Sequence, residues 1–151
     1  MQEVVVRQAV LADLDALAPL FDGYRQFYGR TPDLPAARAF LRDRFEHGES
    51  VVFIAQAAAA PVGFTQLYPS FSSVSLARTF ILNDLFVVAG QRRGGVGTAL
   101  LRAATDYARS LGAVRVTLNT DIQNTSAQAV YEARGWKRDR EYFVYHFLPQ
   151  G

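Results

Sequence analysis

The stretch Ile81–Leu101, ILNDLFVVAGQRRGGVGTALL, decides the fold. Its first part, from Ile81 to Val88, is apolar and rich in strand formers, which predicts a β-strand. Its last part runs on through VGTALLRAATDYARSLG, where Val96, Leu100, Ala103, Ala104, Tyr107 and Ala108 recur on one helical stripe and Leu111-Gly112 marks the end. Two arginines and three glycines, Arg92-Arg93-Gly94-Gly95 and then Gly97, join strand to helix. The next apolar run, VRVTLNT from Val114, is a second strand. A strand, a helix and a strand in that order predict parallel neighbours joined by a right-handed crossover.

Working outward, Val4 to Gln8 is a short β-branched run. It precedes ADLDALAPLFDGYRQFYG, in which Leu14, Leu17, Phe21, Tyr24 and Tyr28 recur at helical spacing. Pro19 and Gly23 weaken this helix and mark its second half as adjustable. AARAFLRDRFEHG reads as a second helix closed by Gly48. VVFIAQA and VGFTQLYPS predict an antiparallel hairpin with Pro61 in its turn, followed by a polar loop, FSSVS. Downstream, Asn124 caps a helix that stops at Gly135, and WKRDR and YFVYHFL read as closing strands. The expectation is an α+β fold: a mixed, mostly antiparallel twisted sheet with helices on both faces, in a single domain spanning residues 1–151.

Composition narrows the function. A chain of 151 residues that is 50% hydrophobic can bury a core without help from metal or disulfides. It contains no cysteine, so thiol nucleophiles and thiolate metal sites are excluded. His47 and His146 stand apart with no ligand spacing, so no metal is expected. No leader or membrane-length apolar run occurs, which points to a cytoplasmic protein and makes Asn124-Thr125-Ser126 an accidental glycosylation pattern. A net charge of +2, mostly scattered, argues against nucleic acid and membrane partners.

The glycine turn suits a phosphate, because glycines let backbone come close and a helix start offers unpaired NH groups. A P-loop is excluded, since no lysine follows the glycines. A dinucleotide fingerprint is excluded too, since Leu100 stands where its third glycine belongs. A tight turn with no ligand remains the alternative. Arg92-Arg93-Gly94-Gly95-Val96-Gly97 resembles the [QR]xxGx[GA] turn of the GNAT N-acetyltransferase superfamily, and NTSAQAVYEARGW, Asn124 to Trp136, resembles its downstream N..A...Y...G[FW] element. The order of elements along nearly the whole chain is similar as well.

That resemblance implies acetyl-CoA as cosubstrate. Its pyrophosphate would lie on the NH groups of Arg92, Arg93, Gly94, Gly95, Val96, Gly97 and Thr98, and its pantetheine beside Phe86, Val87 and Val88. Asn124, Ala127 and Tyr131 would complete the cofactor site. The backbone NH of Val87 or Val88 would stabilise the carbonyl oxygen under attack. Tyr131 would protonate the departing thiolate, its alternative being a packed helix face. ILNDLFV also resembles the LEDL[YF]V strand of the polyamine acetyltransferase branch, but Asn83 stands where that branch has a glutamate base. An amide cannot accept the proton, so Asn83 is expected to orient the acceptor.

Asp84, on the other side of a regular strand, reads as a structural carboxylate. Keeping a lysine-like amine neutral at pH 7 costs about 4.6 kcal/mol, against about 1.4 for an α-amine. The missing glutamate therefore favours less basic amines. The acceptor, a small-molecule or peptide amine, would meet Tyr24, Tyr28, Tyr68 and Asn83, with Phe27, Phe71, Phe80 and the LYPSFSS loop nearby. The competing readings are a CoA-binding regulatory module without catalysis and an enzyme acetylating an RNA-linked aminoacyl group. The apolar run YFVYHFL also offers an edge to a second copy, giving a homodimer.

Overall fold

The computed structural model describes residues 3–150. In chain order it forms β1 (Val4–Gln8), α1 (Leu14–Phe27), α2 (Leu34–His47), β2 (Val51–Ala57), β3 (Ala60–Ser72), β4 (Ala77–Val87), α3 (Val96–Ser110), β5 (Arg115–Thr117) and α4 (Thr125–Ala133). The strands make one sheet in the order β1-β2-β3-β4-β5. Its first three pairings are antiparallel and the last, β4 with β5, is parallel, as the crossover through α3 predicts. Contacts group the chain into two compact units, one ending at Leu118 and one starting at Asn119.

Strand alternation gives the sheet two apolar faces. Val52, Ile54 and Phe64 pack with Leu14, Leu17 and Phe21 of α1 and with Ala37 and Leu41 of α2. Phe53, next to Ile54, points the other way, and with Phe80 it meets Tyr107 of α3 at ring-centroid distances of 5.6 and 5.8 Å. The expected helices on both faces are therefore present. Asp33 caps α2 through the Ala36 amide, and Gly48 ends it in the left-handed region at φ 61°.

Three local expectations fail for non-local reasons. The helix α1 runs unbroken through Pro19. Gly23 is no adjustable joint either: a Cβ there would lie 3.2 Å from the Phe86 ring, so the glycine lets α1 lie against β4. Pro61 is not in the hairpin turn, which Ala58 and Ala59 make at φ 50° and 65°. It pairs with Gln56 inside β3, beside a bulge where Val62 is the extra residue, a place where a missing NH is tolerated. β3 also runs beyond the expected VGFTQLYPS strand into FSSVS, because Phe71 and Ser72 pair with Arg78 and Ala77 of β4, and ladder bonds outweigh polar composition.

The closing strands differ most. Of the run from Val114 to Thr120, only Arg115–Thr117 is strand, and neither WKRDR nor YFVYHFL forms one. Tyr142, Phe143, Val144, Tyr145, Phe147 and Leu148 are all exposed. An apolar run becomes a strand only where another strand supplies hydrogen bonds, and nothing local to this run does so. Within the second unit, Asn124 caps α4 by accepting the Ala127 amide hydrogen at 3.2 Å, and Gly135 turns the chain at φ 91°.

Candidate active site

The centre of the site is a break in the β3–β4 register. Gln66 pairs with Asp84 and Leu67 pairs with Leu82, so Asn83 is an extra residue on β4. The bulge corrects the expected position of Asp84. Instead of lying out of reach across the strand, its carboxylate accepts a 2.7 Å hydrogen bond from Asn83 Nδ2. Gln66 Nε2 donates to its other oxygen. Thr65 Oγ1 donates to the Asp84 backbone carbonyl at 2.8 Å, which locks the bulge from β3.

Asp84 is 1% exposed. Burial holds its carboxyl above the usual carboxylate range, opposed by the hydrogen bonds of Asn83, Gln66 and Tyr24. The hydroxyl of Tyr24, carried by α1, donates to the Asn83 carbonyl at 3.1 Å. Burial, with the Asp84 charge second, raises the Tyr24 phenol well above its ordinary value. For the same two reasons the Tyr68 phenol is pushed up to about 12. Both phenols thus feel the charge of the buried Asp84 carboxyl, and Tyr24 also touches the Asn83 backbone.

The bulge adjoins an open strand edge. On the far side of β4, β5 covers only Thr79, Phe80 and Ile81. From Leu82 to Val87 that edge has no strand neighbour among the described residues. The Val88 NH donates to the Val62 carbonyl at 2.9 Å and is already committed to β3. Alternation along a strand then turns the Val87 amide to the open edge. Arg92 Nε reaches the Val87 carbonyl from there at 2.9 Å, with its guanidinium over the rings of Phe27 and Phe86 at 5.4 and 5.8 Å.

The open edge leads directly into the glycine turn. Gly95 caps α3 at φ 81°, a conformation that favours glycine. The first helical bond after it runs from the Ala99 NH to the Gly95 carbonyl at 3.0 Å, which leaves the NH groups of Val96, Gly97 and Thr98 without a partner inside the helix. Residues 92–95 are exposed, and a Cβ on Gly97 would meet only Val87 Cγ2, at 3.9 Å. Unpaired NH groups, a helix N-terminus and two exposed arginines fit a pyrophosphate.

The aromatic residues expected on the acceptor side divide. Tyr24 and Tyr28 meet edge to face at 5.0 Å, and Phe27 and Tyr28 are both largely exposed. Tyr68 lines a shallow concavity of about 370 Å³ together with Phe40, Arg44 and Glu49, none of them singled out from sequence. Phe80 is core on the α3 face, and Phe71 lies at the surface under Arg78. In the second unit, Tyr131 and Trp136 rings lie 6.1 Å apart, and the Trp136 NH donates to the Tyr131 carbonyl. His47 Nδ1 lies 2.8 Å from the Asp43 carbonyl, His146 is exposed, and no cluster of metal-ligating side chains occurs among the described residues. Gln66 was missed, and its only sequence signal is a polar residue on the buried side of an apolar strand.

The acetyltransferase (GNAT) family matches residues 15–136. The chain belongs to this family. It is 49% identical over 140 residues to the uncharacterized N-acetyltransferase YhfO of Bacillus subtilis, covering 93% of this chain and 94% of that one. A probable acetyltransferase of Haemophilus influenzae is 35% identical over 96 residues, covering 63% and 66% of the two chains. The crystal structure of a probable acetyltransferase superposes with a TM-score of 0.91 at 44% identity, over 95% of this chain and 97% of that one. An aminoglycoside N-acetyltransferase solved in complex with CoA shares the fold, with a TM-score of 0.79 at 20% identity over 97% and 96% of the chains. The protein is thus a GNAT N-acetyltransferase, of a family that draws its acetyl group from acetyl-CoA. No helix among the described residues is long and apolar enough to cross a membrane.

Proposed function

We propose that this GNAT enzyme transfers acetyl from acetyl-CoA to a primary amine of a small molecule, amino acid or peptide, by direct attack in a ternary complex. The observation that carries this reading is the open edge of β4, which runs from the Asn83 bulge past Val87 to the unpaired NH groups at the start of α3. In this arrangement the turn from Arg92 to Thr98 binds pyrophosphate, and Phe86, Val87 and Val88 flank the pantetheine. The Val87 NH faces the thioester oxygen, where a preplaced donor stabilises developing charge. Tyr24, Tyr28, Tyr68 and Asn83 receive the amine. Tyr131 supplies the proton to the thiolate, with Asn124 and Ala127 shaping the start of its helix. The likeness to the polyamine branch stops at Asn83, which favours α-amines over alkylamines. The exposed run from Tyr142 to Leu148 supports pairing with a second copy, which sedimentation velocity tests.

The test is calorimetry with acetyl-CoA, followed by a thiol-release assay with spermidine, L-lysine, glycylglycine and kanamycin between about pH 6 and 10. Glycylglycine, whose amine titrates near 8, is expected to outpace spermidine at pH 7. Binding of acetyl-CoA with no thiol release from any amine at any pH would reject the acceptor class. No binding would reject the whole reading.

A further inference from the structure

The last turn of α2 presents a guanidinium that the acetyl-transfer steps leave unused. Gly48 ends the helix in the left-handed region, so the chain folds back and the Glu49 NH donates to the Arg44 carbonyl at 3.0 Å, while the Gly48 NH donates to the Phe45 carbonyl. This cap brings two side chains together as well: Arg44 Nε donates to Glu49 Oε1 at 3.0 Å. One turn earlier on the same helix face, the Phe40 ring lies against the guanidinium, its centroid 4.4 Å from Arg44 Cζ. Phe40 in turn stacks on Phe21 of α1 at 5.6 Å. The guanidinium is thus fixed on one face by a ring and along one edge by a carboxylate.

An arginine carries five N–H donors in a flat fork, and Glu49 takes the one on Nε. The four on Nη1 and Nη2 have no hydrogen-bond partner among the described residues, and the side chain is 24% exposed, so a ligand can reach them. Arg44, Phe40 and Glu49 line the concavity of about 370 Å³ whose remaining wall is Tyr68. Tyr68 ties this concavity to the candidate site. It follows Gln66 by two positions on β3 and so shares its face, and Gln66 Nε2 donates to Asp84 beside the Asn83 bulge. After burial, the charges that act on the Tyr68 phenol are those of Asp84 and Arg44.

Resting on the acetyl-transfer reading above, we propose that the acceptor is an amine that also carries a carboxylate, a free amino acid or a short peptide, and that Arg44 binds this carboxylate while the amine lies at Asn83. With Nε committed to Glu49, the end-on pair of Nη1 and Nη2 is left for the ligand, a geometry that holds both carboxylate oxygens at once. The Phe40 and Tyr68 rings border the part of the acceptor between its two charges. Glu49 opposes an anion here, but its side chain is 54% exposed and water screens its charge. A guanidinium already held by a ring and a carboxylate needs little further ordering when the ligand arrives. A polyamine or aminoglycoside brings no anion and meets the arginine's like charge, so such amines are disfavoured. Arg44 is thus a specificity-determining residue.

The test compares glycylglycine with glycylglycinamide, whose amines both titrate at about 8 and which differ only in the distant carboxylate. In the thiol-release assay, wild type should favour glycylglycine by about 10- to 100-fold in kcat/KM, carried by KM, as hydrogen bonds to a charged group allow. Arg44→Ala should lose that preference, kcat/KM falling far more on glycylglycine than on glycylglycinamide while acetyl-CoA affinity holds. Arg44→Lys, which keeps the charge without the fork, should retain only part of it. Glu49→Gln keeps an acceptor for Arg44 Nε and removes a like charge, so it should lower KM for glycylglycine alone. Equal rates on the two dipeptides in wild type, a preference that survives Arg44→Ala, or an equal loss on both acceptors in that variant would overturn the assignment. Nitrogen NMR of the Arg44 guanidinium gives a reading independent of turnover. With CoA present, glycylglycine should shift that signal and glycylglycinamide should not, and a signal that neither moves would also overturn it. Absence of acetyl-CoA binding in calorimetry would instead refute the acetyl-transfer reading and leave the NMR signal to report on the carboxylate.

Discussion

Val62 accepts the Val88 amide hydrogen at 2.9 Å, and through this one bond the Val87 amide faces the open edge of β4. Val62 is itself the extra residue of a bulge in β3, so an irregularity on the neighbouring strand sets which amide of β4 faces that edge.

The turn below that edge should bind the pyrophosphate of acetyl-CoA. A side chain at Gly97 has space, since only Val87 Cγ2 lies within 4 Å, and an acidic residue in the first turn of α3 suits the helix dipole. Gly97→Asp should therefore fold normally while weakening acetyl-CoA binding by about 100-fold, about 2.7 kcal/mol, through charge alone. Calorimetry and thermal melting on the same sample separate the two effects, and unchanged affinity would move the pyrophosphate elsewhere.

Gly63 is a structural test of the same region. A Cβ there would sit 2.8 Å from the Phe86 backbone carbonyl and 3.3 Å from Leu100 Cδ1 and Val96 Cγ1. Backbone cannot yield as a side-chain tip can, so Gly63→Ala should cost about 1–3 kcal/mol in urea unfolding. A loss below about 0.5 kcal/mol would mean that β3 and β4 separate here at little cost.

Tyr131→Phe keeps the ring and deletes only the hydroxyl. If that hydroxyl protonates the thiolate, turnover should fall by about 10- to 1000-fold with acetyl-CoA affinity unchanged. Unaltered turnover in steady-state kinetics would reduce Tyr131 to a packing residue of α4.

Asn83→Glu illustrates how the bulge reverses an expectation. Taken alone, the strand sequence promises a new base beside the amine and an acidic limb moved to lower pH. The structure places this side chain 2.7 Å from the Asp84 carboxylate, so the change removes a donor and adds a like charge. Two neighbouring carboxylates resist losing both protons. The acidic limb of the pH–rate profile should therefore move to higher pH, and a shift to lower pH would show that the two side chains avoid each other.

Asp84 should also leave a mark on stability. Its folded pKa lies above the unfolded value of about 3.9, so the folded state holds the proton more tightly. Stability gained in this way is fully present below the unfolded value and is lost as pH rises through the folded one. Asp84→Asn lacks this slope. Its melting temperature relative to wild type should therefore rise as pH increases from about 4 to 7, in calorimetric scans at each pH. A constant difference would mean that Asp84 does not titrate in this range.

What the sequence by itself determined is what neighbours along the chain decide. The strand Val4–Gln8, the capped helix ending at Gly48, the glycine turn into α3 and the Asn124 cap each rest on backbone preferences within a few residues. The crossover also followed, because a helix of this length leaves its flanking strands parallel and adjacent. Only the tertiary structure decided the rest. The Asn83 bulge arises because β3 offers one residue, Gln66, where β4 offers Asp84 and then an extra residue. No local signal on β4 carries that count. Gly23 looked like a weak point until Phe86, 63 positions further on, appeared against it. Pro61, Phe71 and Ser72 became strand for one reason. A strand exists only where another supplies its hydrogen bonds, and that supply is a property of the assembled sheet.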